Sequence, residues 1–212
     1  MPILEEHLFE SFFTTTFLSI AVLTPRERSL VSNWSEKRIN EFSTGRYCAR
    51  NTLEAFGLEH HDILIGTDRE PLWPESVTGS ISHCENLVGA ISAKKDKVKA
   101  LGLDIEIIGK VEPELWDLVF TATEQYFLKE LKTEFAAIYS TVIFSAKECF
   151  YKLQFPITRT YIDFKDIEIS VNDEELKVHW VKEYHDIAPF FENAVLKFIK
   201  QKSNIITYAY LL

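Results

Sequence analysis

Phe12-Phe-Thr-Thr-Thr-Phe-Leu-Ser-Ile-Ala-Val-Leu23, followed at once by Thr24-Pro25-Arg26-Glu27, is the stretch on which the fold turns. The first run is rich in Phe, Thr and Ile and reads as a strand over residues 12–23. The next four residues combine an N-cap hydroxyl, a proline at the first helical position and a glutamate three residues after the cap, which together start a helix. That helix is expected to be interrupted near Asn33 and to run to Gly57, glycine being the usual stop. Within it Ile39, Phe42, Ala49, Leu53 and Phe56 recur at three- and four-residue steps and form an apolar stripe. Arg46 falls on the stripe where another apolar residue is expected, and Arg50 lies four residues further on the same side.

Outward from this segment the same order recurs. Short strands are expected at residues 79–82, 87–92 and 98–107, with the Lys94–Lys97 turn between the last two. A helical region from Pro113 to about Leu131 contains a second capping box, Thr121-Ala-Thr-Glu124. A longer helix is read over Glu134–Gln154, its core face being Phe135, Ile138, Val142, Ala146, Cys149 and Leu153, with Pro156 as its stop. Strands are then read at 162–171, 176–181, 194–199 and 205–211. Each half thus holds a strand, a long helix and further strands, which suits an α+β protein of two similar lobes, 1–100 and 101–212.

Composition narrows the function. With 212 residues, 46% hydrophobic and 26% charged, the chain can bury one large core or two small ones. No apolar run approaches the roughly 18 residues of a membrane span. The opening Met1-Pro-Ile-Leu-Glu-Glu-His7 lacks the basic-then-apolar layout of a secretory signal. Cys48, Cys84 and Cys149 are odd in number and have no metal-type spacing, so they read as thiols in a reducing compartment, the cytoplasm. A net charge of −9 argues against nucleic-acid binding. It leaves room for a phosphorylated small molecule held by a few well-placed cations.

Leu101-Gly-Leu-Asp104-Ile-Glu106-Ile107 reads as a buried strand whose two carboxylates point to one face, since strand side chains alternate. Such a pair is costly unless a cation bridges it, and hard oxygen ligands suit Mg²⁺. The ordinary alternative is an edge strand with a solvated acidic face. Glu148 and Lys152 share a face of the second long helix and would be read alone as a surface i,i+4 pair. His83 ends a short strand at a turn, where a histidine is usually just solvated. Arg46 and Arg50 either snorkel to water or form a phosphate clamp, because the guanidinium fork matches phosphate oxygens.

In order along the chain the signals add up. Lys37-Arg38, Glu41-Phe42, Gly45-Arg46-x-x-Ala49-Arg50, Arg69-x-Pro71-x-Trp73-Pro74, Gly79-Ser-Ile-Ser-His83-Cys84, Gly102-Leu-Asp104-Ile-Glu106 and Phe144-Ser-Ala-Lys147-Glu148-x-x-x-Lys152 form one series. This series resembles the surfactin-type (Sfp-type) 4′-phosphopantetheinyl transferases, and most of all their enterobactin-synthase component D-like, siderophore branch. The resemblance implies a pseudo-dimer of two α/β lobes with the active site between them. It implies Mg²⁺-dependent transfer of 4′-phosphopantetheine from coenzyme A to a serine of an apo carrier protein, with release of 3′,5′-ADP. Carried over by position, Asp104, Glu106 and Glu148 would hold the metal. Lys37, Arg50, Arg69, His83 and Lys152 would hold coenzyme A, joined by Arg46, which is typical of the siderophore branch only and whose role is inferred from the helix face, and Glu148 and Lys152 would do the chemistry. Glu124 matches a glutamate near the site, while Lys147 is assigned support or phosphate contact at most. The implied partners are carrier domains of nonribosomal peptide, fatty acid or polyketide synthases, served by a monomer. A catalytically decayed relative that only binds coenzyme A or a carrier is the alternative.

Overall fold

The computed structural model describes residues 4, 7–173 and 175–212. Residues 1–3 and 5–6, part of the opening stretch read above for targeting, lie outside the described residues. Thr24 and Glu27 close the expected capping box: Thr24 Oγ1 accepts from the Glu27 amide, and Glu27 Oε2 accepts from the Thr24 amide. The helix they start, α1 (Pro25–Ser29), is short, and the chain breaks before α2 (Glu36–Leu53), which Ser35 caps. A single 3-10 turn and a left-handed Gly57 (φ 70°) then end the helical run where the sequence places its stop.

Glu27 does more than cap. It is fully buried, and both its oxygens lie 2.7 Å from Arg50 Nη1 while Oε1 also accepts from the Ile63 amide at 3.0 Å. Arg50 Nη2 donates to the Val22 carbonyl. A carboxylate buried to this degree is tolerable only because every lone pair it turns inward meets a donor. The pair pins α1 and the 22–24 segment to the long helix.

The chain divides into two compact units, Met1–Leu101 and Gly102–Leu212. In the first, β1 (Glu10–Thr14), β5 (Val88–Lys94) and β4 (Val77–His83) form an antiparallel sheet in the order β1-β5-β4, and β2 (Leu64–Ile65) pairs with β3 (Pro71–Leu72) as a small hairpin. Cys48, Ala49 and Leu53 of α2 pack with Ile63, Val77, Val88 and Ala90 as its core. The strand expected over 12–23 is therefore shorter. After Thr14 the chain leaves the sheet, because the Leu18 amide bonds to Thr44 Oγ1 of α2 and Ser19 caps a 3-10 turn over Ile20–Val22.

The second unit starts on β6 (Ala100–Ile107), then adds α3 (Trp116–Val119), α4 (Ala122–Glu130) and α5 (Thr133–Thr158). Strands β7 (Ile167–Asn172), β8 (Glu175–Trp180), β9 (Val195–Gln201) and β10 (Asn204–Leu211) complete a sheet ordered β6-β10-β9-β8-β7. Strand β10 is buried along its whole length, and α5 packs on it. Two details depart from the sequence reading. Phe135 is 45% exposed, so the core face of α5 begins a turn later. Pro156 lies inside α5 and forfeits one amide bond without ending the helix, which closes on Arg159 in the left-handed region (φ 53°).

The capping-box device recurs here. Thr121 Oγ1 accepts from the Glu124 amide, Glu124 Oε2 accepts from the Thr121 amide, and Glu124 is 2% exposed. Its Oε2 meets Lys147 Nζ of α5 at 2.7 Å, and Oε1 accepts from the Ile169 amide. In each unit the glutamate and the long-helix cation are 23 residues apart. The similarity of the two lobes thus reaches individual hydrogen bonds.

Arg50→Ala leaves Glu27 buried without its cation and is expected to lower stability by about 3–5 kcal/mol in urea denaturation. A midpoint equal to that of the wild type would show that the pair does not anchor the helix.

Candidate active site

Asp104 and Glu106 leave the same face of β6, with the fully buried Ile105 between them on the other. Strand β6 is an edge strand, yet Asp104 is only 2% exposed, so a solvated acidic face does not describe it. The reason is the close approach of α5. A Cβ on Gly102 would overlap the Cys149 carbonyl oxygen and come within 3.1 Å of Cys149 Sγ. Only glycine lets the strand backbone lie this near the helix. That contact brings the Asp104 carboxylate against the next turn of α5, where Lys152 Nζ lies 2.6 Å from Asp104 Oδ1.

Glu148, one turn before Lys152, is half-buried. Burial raises its carboxyl above the usual range, with Asp104 adding to the rise and Lys152 opposing it. Burial, followed by the Asp104 charge, pushes Glu106 up to about 7; Lys152 pulls the other way and Glu148 adds a little. On Lys152 burial disfavours the charge, but Asp104 and Glu148 outweigh it and the net shift is upward. Three carboxylates therefore share one ammonium and press on one another electrostatically. This oxygen donor set fits Mg²⁺, which takes a few carboxylates and completes its shell with water and substrate oxygens. Among the described residues no group of three His, Cys, Asp or Glu side chains is gathered closely enough to hold a metal ion, so the three carboxylates supply the right donors without forming a finished metal site.

Lys147 behaves unlike its neighbour. It is fully buried, and its Nζ donates to Val119 O (3.0 Å), Phe164 O (2.7 Å) and Glu124 Oε2 (2.7 Å). An ammonium has three protons, so none is left for a phosphate. Glu124 is its partner in the same buried network.

A cavity of about 200 Å³ opens beside Glu148, lined by Lys147, Tyr151, Tyr161, Ile162 and Phe164 among others. A larger one, of about 510 Å³, lies where β8 and β9 part after pairing at Glu175↔Lys197 and Leu176↔Leu196, and touches none of the expected site residues. Of the two, the smaller cavity is the one that an expected site residue, Glu148, lines.

In the N-terminal unit the expected cations separate by role. Lys37 is exposed on α2, and Arg69 is exposed at the tip of the β2–β3 hairpin with a left-handed backbone (φ 69°), rare for a residue with a side chain. Arg46 is 7% exposed, gives Nε to the Ile63 carbonyl at 2.9 Å and stacks over Phe42 at 4.0 Å. Burial lowers its pKa to about 10, where it still carries its charge at neutral pH. Arg50 is committed to Glu27 and the Val22 carbonyl. Both arginines thus hold α2 to the backbone around it.

The structure brings a different arginine to His83. Arg38 Nη1 lies 3.4 Å from His83 Nε2 and 3.4 Å from Glu41 Oε2. Its position was readable: Arg38 precedes Phe42 by four residues and so lies on the helix stripe, whereas Lys37 is a hundred degrees away.

Residues 26–93 match the family model of the 4′-phosphopantetheinyl transferase N-terminal domain, and residues 100–208 that of the 4′-phosphopantetheinyl transferase superfamily. The chain is 34% identical over 147 residues to 4′-phosphopantetheinyl transferase PptT of Mycobacterium tuberculosis, a match covering 69% of this chain and 64% of that protein. It is 32% identical over 156 residues to 4′-phosphopantetheinyl transferase Svp of Streptomyces mobaraensis, covering 73% and 63% respectively. With enterobactin synthase component D of Escherichia coli K12 it shares 32% identity over 154 residues, 68% of this chain and 72% of the relative. The chain thus spans just under two thirds of the length of the first two relatives.

Gly102→Ala tests the close approach that gathers the acidic face. It is expected to cost about 1–3 kcal/mol of stability by overpacking, and a crystal structure of the variant should show Lys152 and Asp104 drawn beyond hydrogen-bonding distance. Unchanged stability with the contact intact would show that the approach is not required.

Proposed function

The chain belongs to the 4′-phosphopantetheinyl transferase superfamily, and from that premise we propose that it moves 4′-phosphopantetheine from coenzyme A to a serine of an apo carrier protein. The observation that carries this reading is a juxtaposition within the C-terminal unit. Glu148, which belongs with Asp104 and Glu106 to the crowded carboxylates around the Lys152 ammonium, also lines a cavity together with Tyr151, Tyr161, Ile162 and Phe164. The first group suits a diphosphate with its counter-ion, the second the uncharged arm that the diphosphate carries.

In the reaction the serine Oγ attacks the β-phosphorus of coenzyme A, the bond from that phosphorus to the bridging oxygen breaks, and 3′,5′-ADP leaves. Asp104, Glu106 and Glu148 are the residues proposed to hold Mg²⁺, which when bound neutralises diphosphate charge and polarises phosphorus. Lys152 donates to the oxygens on which negative charge builds. Its present partner, Asp104, keeps it charged and aimed at the acidic face. Glu148 takes the serine proton, since the hydroxyl is a poor nucleophile until it is lost.

For the nucleotide end we propose Arg38 with His83, assisted by Lys37 and Arg69. Arg38 Nη1 donates to Glu41 Oε2 and lies 3.4 Å from His83 Nε2, which is itself 4.0 Å from the same carboxylate, so the two side chains already sit together. Arg46 and Arg50 support this surface through α2. Similarity to enterobactin synthase component D favours carrier domains of nonribosomal peptide assembly, including siderophore assembly, as substrates.

Incubation with coenzyme A, Mg²⁺ and a purified apo peptidyl carrier domain should add one phosphopantetheine to the carrier by mass spectrometry. Binding of coenzyme A without any mass gain would favour a decayed relative. Lys152→Met and Glu148→Gln are each expected to lose on the order of 10²-fold or more in kcat with circular dichroism unchanged; a near-normal kcat in Lys152→Met would remove that helix from the chemistry. Arg38→Ala should narrow the preference for coenzyme A over 3′-dephospho-coenzyme A by about 1–3 kcal/mol. Equal losses on both ligands would deny it the 3′-phosphate.

A further inference from the structure

Resting on the transferase reading, we propose that Lys147 and Glu124 are positioning residues that set the width of the cavity for the pantetheine arm. The cavity has two walls. One is the face of α5 that carries Glu148 and Tyr151; the other is the 161–164 segment, with Tyr161, Ile162 and Phe164. Helix and segment are separate pieces of backbone, and the second is not a strand that a sheet could hold in place. Lys147 spans them. Its stem leaves α5 beside Glu148, and its Nζ donates to the Phe164 carbonyl at 2.7 Å.

The other two protons of that ammonium fix its own position, through the Val119 carbonyl at the end of α3 and Glu124 Oε2 at the start of α4. Glu124 carries the brace onward, because its Oε1 accepts from the Ile169 amide at 2.7 Å, just past the segment on β7. Both edges of the 164–169 stretch are therefore tied to one buried ion pair. The rings that line the cavity are set against one another as well: Tyr151 meets Tyr161 edge-on at 6.0 Å, and Phe164 lies 5.6 Å from Phe144 of α5. Without the brace the wall keeps these ring contacts and the Gln154 bond to the Thr160 carbonyl but loses its hydrogen bond to α5 at Phe164, so its far end is less firmly set and an extended, uncharged arm would lose contacts on one side.

The brace acts on the arm and not on the nucleotide, and that gives its test. In the double variant Lys147→Met with Glu124→Gln, which removes both charges together, calorimetry on the full chain should show coenzyme A bound about tenfold more weakly. The affinity for 3′,5′-ADP, which lacks the arm, should stay within about twofold. In turnover the loss should be recovered in part as coenzyme A is raised, so that KM changes more than kcat. A merely structural role would weaken both ligands alike, and that result, or no change in either, overturns the proposal. Should the variant fail to fold, the wild type decides: hydrogen exchange across residues 161–169 should slow with coenzyme A and not with 3′,5′-ADP, and equal slowing by both would overturn it. A wild type that binds neither ligand would instead remove the transferase reading itself.

Discussion

A glutamate that first caps a short helix and is then buried beneath the cation of a long one is the constraint on which this protein is built. Glu27 with Arg50 and Glu124 with Lys147 each combine a capping box, a buried ion pair and an accepted backbone amide. Neither carboxylate could be buried in its core at tolerable cost without these partners. Because the cation comes from the long helix and the amide from a later segment, one side chain fixes three pieces of chain at once. The rotation of the long helix about its axis follows from it.

In the C-terminal unit that rotation decides the chemistry. With Lys147 turned into the core, its neighbour Glu148 and the next turn's Lys152 face β6. The absence of a side chain at Gly102 lets β6 come close enough to use them. Burial, with the Asp104 charge adding to it, raises the proton affinity of Glu106 and Glu148, while Asp104 and Glu148 keep a lysine charged beside them, an arrangement poor for stability alone and well suited to gathering cations and phosphate oxygens. In the N-terminal unit the same device uses Arg50 in place of lysine. Arg50 is spent on architecture, and the more exposed Arg38 is left beside His83.

Much of this was legible in the sequence, and the limits have physical causes. Both capping boxes, both long helices and most strands after Gly79 follow from spacing and turn chemistry, because those signals are local; the strand expected from residue 162 begins only at Ile167, after a 3-10 turn over Phe164–Asp166 that Asp163 caps. Composition extends the strand over 12–23 beyond its true end at Thr14, because β-branched residues cannot show that the Leu18 amide bonds to Thr44, 26 residues away. Pro156 reads as a stop in the sequence, although near a helix end it forfeits a single amide bond. Asp104 and Glu106 on one strand face, and Glu148 with Lys152 on one helix face, are consequences of periodicity. That Lys152 meets Asp104 depends on Gly102, whose role appears only when strand and helix are laid together. The partners of Lys147 were beyond reach for another reason: two of them are backbone carbonyls, which every residue possesses.

The central proposal is that Asp104, Glu106 and Glu148 together take one cation, next to the cavity that Glu148 and Lys147 line. Anomalous scattering from a crystal of the protein soaked with Mn²⁺ and coenzyme A tests it most directly. The account predicts a manganese peak within about 2.5 Å of carboxylate oxygens of these residues, with Lys147 still on Glu124 and the pantetheine arm between Tyr151 and the 161–164 wall. A manganese peak elsewhere, or coenzyme A bound with no metal at these carboxylates, would contradict it.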